Sequence, residues 1–230
     1  MTNKFLKSLI DKLNANNTHE LIQLRPLTDS VDFAKVWVDK PKPTDKIFRP
    51  DGPYSFYFIK NENGIYVAAV LDMSHDLHWF VLPKFRGNGY LTKAMKEVIL
   101  FHLFQDRAEQ RITIDEFQIG TKNFMASENV ALNLGFVKNG EDSDSEYILT
   151  IDKYQTENYI DGQNSGISKE RMEELKKQIN YLARSLWVIQ TEIEMKLGDL
   201  DYSDDLKELV DEIKNHTWKF EDAWWKSMRN

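Results

Sequence analysis

The chain has no cysteine, which removes disulfides, thiolate metal sites and cysteine nucleophiles at once. No apolar run approaches the roughly 20 residues of a membrane span. Basic charge is in short supply: 30 Lys and Arg stand against 37 Asp and Glu, for a net charge of −7 and a pI near 5.3. That balance argues against a nucleic-acid groove, which needs clustered cations, and leaves room only for a local basic pocket. Residues Met1 to Asn17 lack the apolar core and small-residue cleavage site of a signal peptide, so cytoplasmic residence is expected. Proline is scarce, six in all, with four between Pro41 and Pro53 and none beyond residue 167.

What is present suits a globular protein. The 230 residues are 41% hydrophobic and 29% charged, enough for one sizeable domain plus an accessory element. Phe5, Leu6, Leu9, Ile10 and Leu13 share one stripe of a helix over residues 4–14. Leu21–Leu27 reads as a strand, and Thr28 or Asp29 as the N-cap of a helix reaching Val38. Pro41–Pro53 is irregular. Tyr54–Lys60 and Ile65–Met73 form a hairpin about Asn61-Glu-Asn-Gly64, and Leu77–Leu82 adds a third antiparallel strand.

The pattern then changes. Pro83–Tyr90 is a turn, Leu91–Phe104 a helix, Arg111–Glu116 a strand, and Ala126–Leu134 a helix ended by Gly135. Phe136-Val137 and Tyr147–Ile151 give the last strands, around an acidic turn over 139–144. The fold class expected is mixed α/β, a mostly antiparallel sheet flanked by helices, over residues 1–152. A polar linker follows at 153–167. Residues 168–230 then read as an α-helical hairpin. Met172, Leu175, Ile179, Leu182, Leu186, Ile189 and Ile193 form a heptad seam in its first helix. The second starts at Ser203 and carries Leu206, Leu209, Ile213, His216 and Phe220. Trp187, Trp218, Trp224 and Trp225 add aromatic area. The hairpin is expected either to pack back on the first domain or to serve as an interaction element, for a homodimer or a protein partner.

The chemistry is concentrated in Leu77–Met95. A strand, a glycine-bearing turn and a helix present successive backbone N–H groups to phosphate oxygens. Gly87 and Gly89 leave out the side chains that would block a pyrophosphate, Lys84 and Arg86 add charge, and Thr92 a hydroxyl. Arg86-Gly-Asn-Gly89-Tyr-Leu91 resembles the acetyl-CoA-binding motif of the GNAT superfamily of N-acetyltransferases, closest to the branch that acetylates ribosomal-protein N-termini. Downstream, Ser127 to Gly135-Phe136 is similar to the family's Asn-x-x-Ser…Gly-Phe helix, with the family's Asn falling on Phe124 and Asn123 one place earlier. The resemblance covers residues 21–151.

That resemblance implies direct transfer of an acetyl group from acetyl-CoA to a primary amine, either a protein N-terminus or lysine or a small amine. No metal enters. It places Val81, Leu82, Arg86, Gly87, Asn88, Gly89, Tyr90, Leu91, Thr92, Asn123 and Ser127 around the coenzyme, with a backbone N–H near Val81 or Leu82 facing the developing oxyanion. Asp76 is the first choice as general base, Glu116 and Asp115 are the other carboxylates, and His78 is the candidate imidazole. The position of the family's tyrosine acid is Ala131. His75 and His78, three apart on a strand, do not make a metal pair. The second reading is a binding protein of the same fold that has lost turnover and acts through its hairpin.

Overall fold

A computed structural model describes residues 2–17, 21–46, 52–139, 145–154 and 166–229. The acidic turn over 140–144, most of the polar linker, and Arg49 and Asp51 of the proline-rich stretch lie outside the described residues. The chain divides into two compact units, residues 1–164 and 165–230.

In the first unit β1 (Ile22–Thr28), β2 (Val31–Val36), β3 (Tyr54–Lys60), β4 (Tyr66–Asp72) and β5 (Leu77–Val81) form one antiparallel sheet in chain order. The helix expected from Thr28 to Val38 is instead β2. Asp29-Ser30 is a turn that folds Val31 back opposite Thr28, and β2 then pairs with β3 from Val31 against Ile59 to Val36 against Tyr54. Val31, Ala34 and Val36 are buried. β-branched residues facing two neighbouring strands are better placed on a pleated surface than on a helix.

The central strands are covered on both faces, so they read as continuous apolar runs rather than alternating ones. On one side, Phe56, Phe58, Ala69 and Leu71 pack with Leu6, Leu9, Ile10 and Leu13 of α1 (Asn3–Asn14). Thr2 caps α1 by accepting from the N–H of Phe5, and the Asn14 amide pairs with both backbone groups of Tyr66, at 2.9 Å each. On the other side, Tyr57, Ile59, Ala68 and Val70 pack with the helix after β5. That helix begins as α2 (Tyr90–Ala94), passes through a π-helical turn at Met95–Ile99 and ends as α3 (Leu100–Leu103). The π turn breaks the regular carbonyl pattern, and the Tyr154 hydroxyl donates to the Lys96 carbonyl at 2.6 Å.

A second sheet has β8 (Glu146–Thr150) between β6 (Glu109–Thr113) and β7 (Val137–Lys138). β6 stops before the expected Glu116. The Asp115 carboxylate accepts from the N–H of Phe117 at 2.9 Å and caps a one-turn helix, α4 (Glu116–Ile119). α5 (Thr121–Asn133) starts five residues ahead of Ala126 and ends before Gly135, whose φ of 90° suits a residue without a Cβ.

The second unit is a helical hairpin of α6 (Lys169–Leu197) and α7 (Asp201–Ser227), antiparallel about Gly198 and tied by the Lys176–Glu221 ion pair. Ser168 caps α6. Ser203, expected to open α7, lies inside it, and its hydroxyl both donates to the Leu200 carbonyl and accepts from the Leu200 N–H. The expected seam holds at Met172, which is buried, and gives way by one residue at three later positions. Ala183 and Gln190 are buried where Leu182 and Ile189 were expected, and Val210 where Leu209 was. Trp224 is buried and donates to the Ile167 carbonyl, while Trp187, Trp218 and Trp225 are exposed.

One charged side chain is buried in the first sheet, where it joins three strands. Asp32 is 2% exposed, accepts from Lys60 at 3.1 Å and from the Tyr66 hydroxyl at 2.5 Å. Burial, with Asp32 beside it, holds the Tyr66 phenol well above its ordinary value. Tyr66→Phe is expected to lower stability by about 1–3 kcal/mol, because it strips a donor from a buried carboxylate. A urea midpoint equal to that of the unaltered protein would mean that Lys60 alone satisfies Asp32.

Candidate active site

β5 and β6 belong to different sheets, yet they are tied together at one end. Arg107 donates to both Asp72 carboxylate oxygens, at 3.0 and 2.9 Å, to the Ser74 carbonyl at 2.7 Å and to the buried Gln110 side chain at 2.7 Å. Gln110 in turn donates to the His75 carbonyl. One oxygen of Asp76 accepts from the N–H groups of Leu77 and Thr113, at 2.8 and 2.9 Å. These contacts climb in step along both segments, so the two strands run in the same direction.

Beyond that clasp no ladder joins them, and a cavity of about 810 Å³ opens in the gap. Trp79, Phe80 and Val81 line one wall, and Ile112, Thr113 and Ile114 the other. Of the coenzyme residues read from the sequence, the cavity gathers Val81, Arg86, Gly87, Gly89, Tyr90, Leu91, Thr92, Asn123 and Ser127. Asn88 is exposed and outside its lining. Asn123 and Ser127 lie one turn apart on α5, whereas Phe124 packs toward the core, so the polar residue facing the gap is Asn123.

Leu82 and Val81 divide the role assigned to either. The Leu82 N–H donates to the Val67 carbonyl at 2.9 Å and is spent on β4. Backbone groups of successive strand residues point to opposite edges, so those of Val81 face the unpaired side. Its carbonyl accepts from Arg86 Nε at 3.1 Å there, leaving the Val81 N–H as the donor directed at the gap. Arg86 also reaches the Asn123 side chain at 3.4 Å, so one guanidinium links β5, the turn and α5.

The glycine turn behaves as its composition implies. Gly87 and Gly89 have φ of 79° and 77°, and a Cβ built on either meets no atom within 4 Å. Backbone geometry, rather than crowding within the protein, is what excludes other side chains there. Gly89 precedes α2 without any side-chain cap, leaving the first N–H groups of the helix for a ligand. The Tyr90 hydroxyl donates to Glu62 at 3.0 Å, fastening the β3–β4 turn to the start of the helix, and a hydrogen bond from its own backbone, with Tyr90 second, holds the Glu62 carboxyl below its ordinary value.

The carboxylates expected from the sequence as general bases fare differently. Glu116 is exposed on α4 and does not line the cavity, because the chain turns into a helix at Asp115 instead of continuing as strand. Asp115 lines the cavity but spends an oxygen on its cap. Asp76 lines it too, with one oxygen committed to the clasp. His78 lines the cavity half-buried, and burial lowers its pKa below the ordinary 6.5 against the pull of Asp76. Its Nε2 lies 3.1 Å from the side-chain oxygen of Asn3. An amide oxygen only accepts, so the proton sits on Nε2 and the lone pair on Nδ1. Sequence reasoning missed Asn3, which nothing local connects with residue 78.

Comparison with known proteins adds nothing to this: no family model matches the chain, and no curated protein or solved structure matches it either. Among the described residues no group of His, Asp or Glu is placed to hold a metal ion, and no helix is long and apolar enough to cross a membrane.

The clasp has a direct test. Asp76→Ala removes an acceptor from two backbone donors and is expected to cost about 1–3 kcal/mol. Asp76→Asn keeps a carbonyl there and is expected to stay close to the unaltered protein in thermal denaturation. Equal losses in both variants would show that the charge, not the bridge, holds the strands.

Proposed function

We propose that the first unit is an acetyl-CoA-dependent N-acetyltransferase acting on a primary amine. The observation that carries this reading is the wedge between two strands of like direction, open at the end where the Arg86–Gly89 turn meets an uncapped helix. A long, thin, anionic substrate fits such a place. Its phosphates would meet the N–H groups of Gly87, Gly89 and the first turn of α2. Its arm would lie along Val81 and the Asn123–Ser127 face of α5. The volume falls within the range of small-molecule sites, and the motifs that resemble the GNAT superfamily line it. The chain departs from that family in having β2 directly after β1.

Acetyl-CoA supplies an activated thioester, and the chain's residues do the rest. The Val81 N–H stabilises negative charge on the carbonyl oxygen as the amine adds. The amine attacks only after losing a proton, since a lysine-like ammonium, with pKa near 10.4, has no lone pair. With Glu116 outside the cavity and Asp76 committed to the clasp, His78 Nδ1 is the base we assign. The acceptor class is a protein N-terminus or lysine, or a small amine. The second reading, a binding protein without turnover, draws on the engagement of Asp76 in the clasp. Thiol release from acetyl-CoA with a panel of amines separates the two: a thermal shift with acetyl-CoA but no release with any amine would favour binding alone.

Gly89→Glu puts a side chain and a negative charge where the phosphates are proposed to sit. Calorimetry is expected to give about a hundredfold weaker acetyl-CoA binding, close to 2.7 kcal/mol. Unchanged affinity in a folded Gly89→Glu protein would refute the site.

His78→Gln is expected to reduce turnover by about 10²–10⁴ with acetyl-CoA affinity retained. Because burial lowers the imidazole pKa, the acid limb of the rate profile is expected below pH 6.5, with activity rising as His78 loses its proton. If His78→Gln keeps full turnover and a stably folded Asp76→Asn loses it, the base is Asp76.

A further inference from the structure

The second unit buries little of its own apolar surface. Among its described residues, the apolar side chains fully buried are Met172, Ala183, Val210 and Trp224. For a unit running from residue 165 to 230, that is a small core, and units of this size need either a fuller core or a partner.

Trp187, Val188, Trp218 and Trp225 are exposed on other flanks, but one group of the apolar residues left outside is ordered. Leu182, 58% exposed, immediately precedes buried Ala183, and Ile189, 52% exposed, precedes buried Gln190. Tyr202, 58% exposed, precedes buried Ser203, and Leu209, 44% exposed, precedes buried Val210. In each helix an exposed apolar stripe therefore runs at seven-residue steps about 100° ahead of the buried line. The helices are antiparallel, so the same rotation about each axis carries both stripes to the same side of the hairpin. The half-buried Leu186 and Ile213 fill the strip between them.

The face of the hairpin that carries the strip has the dimensions of an interface. Helices of 29 and 27 residues are roughly 40 Å long, and two side by side are roughly 20 Å wide. That gives on the order of 800 Å², what one partner contributes to a stable complex. Charge is also unevenly placed from end to end of the hairpin. Around the turn, residues 192–208 hold seven Asp or Glu and two Lys. At the open end, residues 169–177 and 219–229 hold seven Lys or Arg and five Asp or Glu.

We propose that a second copy of this chain docks on the strip, the two hairpins packing end for end as an antiparallel four-helix bundle. A two-fold axis crossing the helices near mid-length meets both demands. It lays apolar strip on apolar strip, and it sets the acidic turn of each hairpin beside the basic open end of the other. This inference stands apart from the activity of the first unit.

Light scattering on the full-length protein tests it. The mass expected at micromolar concentration is twice the 27.1 kDa of the chain. Leu182→Glu combined with Leu209→Glu is expected to halve that mass with the helical circular dichroism retained, whereas Trp187→Gln, on the other flank of α6, leaves it doubled. Should the acidic pair unfold, a nitroxide on Ser185→Cys at the rim of the strip gives a second readout, since the chain has no other thiol. Dipolar coupling between labels, lost on dilution with unlabelled protein, is the expected result. A full-length protein that is monomeric throughout, with its strip covered from within the chain or by a different protein, would overturn the proposal. So would a folded acidic pair that remains dimeric, or labels without coupling.

Discussion

Two strands that run in the same direction, and are held at one end only, organise the first unit. An open pair of edges in a protein interior is costly, because every backbone group facing the gap needs a partner. Here the closed end is secured by side chains rather than by a ladder: Arg107 on Asp72 and Ser74, Gln110 on His75, and Asp76 on Thr113. Farther along, the Leu82 N–H is satisfied by β4, and the Val81 carbonyl is taken by Arg86. What remains exposed to the gap is a short run of backbone and the uncapped start of α2.

The same arrangement separates the chemistry by charge. The glycine turn stands at one end of β5, and Asp76 and His78 stand at the other. At the 3.3 Å rise of a strand, five residues separate them by roughly 15 Å. An extended substrate of the kind proposed, lying along β5, would have its phosphates at the glycines and its reacting end toward the imidazole. α1 contributes to both stability and site. Its buried stripe covers the sheet, and Asn3, in its first turn, sets which nitrogen of His78 carries the proton.

In the second unit the decisive quantity is a phase, not a composition. Leu182, Ile189 and Leu209 are each next in sequence to a buried residue, and a rotation of one residue separates the side chains that close the hairpin from those that face outward. Two of the buried positions are small residues. Ala183 and Ser203 allow close approach between the helices, and Gln190 is kept satisfied there by donating to Glu194. Larger side chains are thereby displaced to the flank.

Much of this was determined by the amino-acid sequence alone. The β3–β4 hairpin follows from Asn61–Gly64, the positive-φ turn before α2 from Gly87 and Gly89, and the two long helices from their spacing, because each is fixed by φ preference or by periodicity within a few residues. The stretch from Thr28 to Val38 misled because its apolar residues fit either period, and only pairing with β3 chose the strand. Which of Val81 and Leu82 offers its N–H depended on which edge β4 occupies. Glu116 left the site because Asp115 found a closer donor in its own turn, and Asn3 entered it across 75 residues of chain. Local stereochemistry is written in neighbouring residues, whereas edges, phases and distant partners are set when separate segments compete for the same surface, and only the tertiary structure resolves that competition.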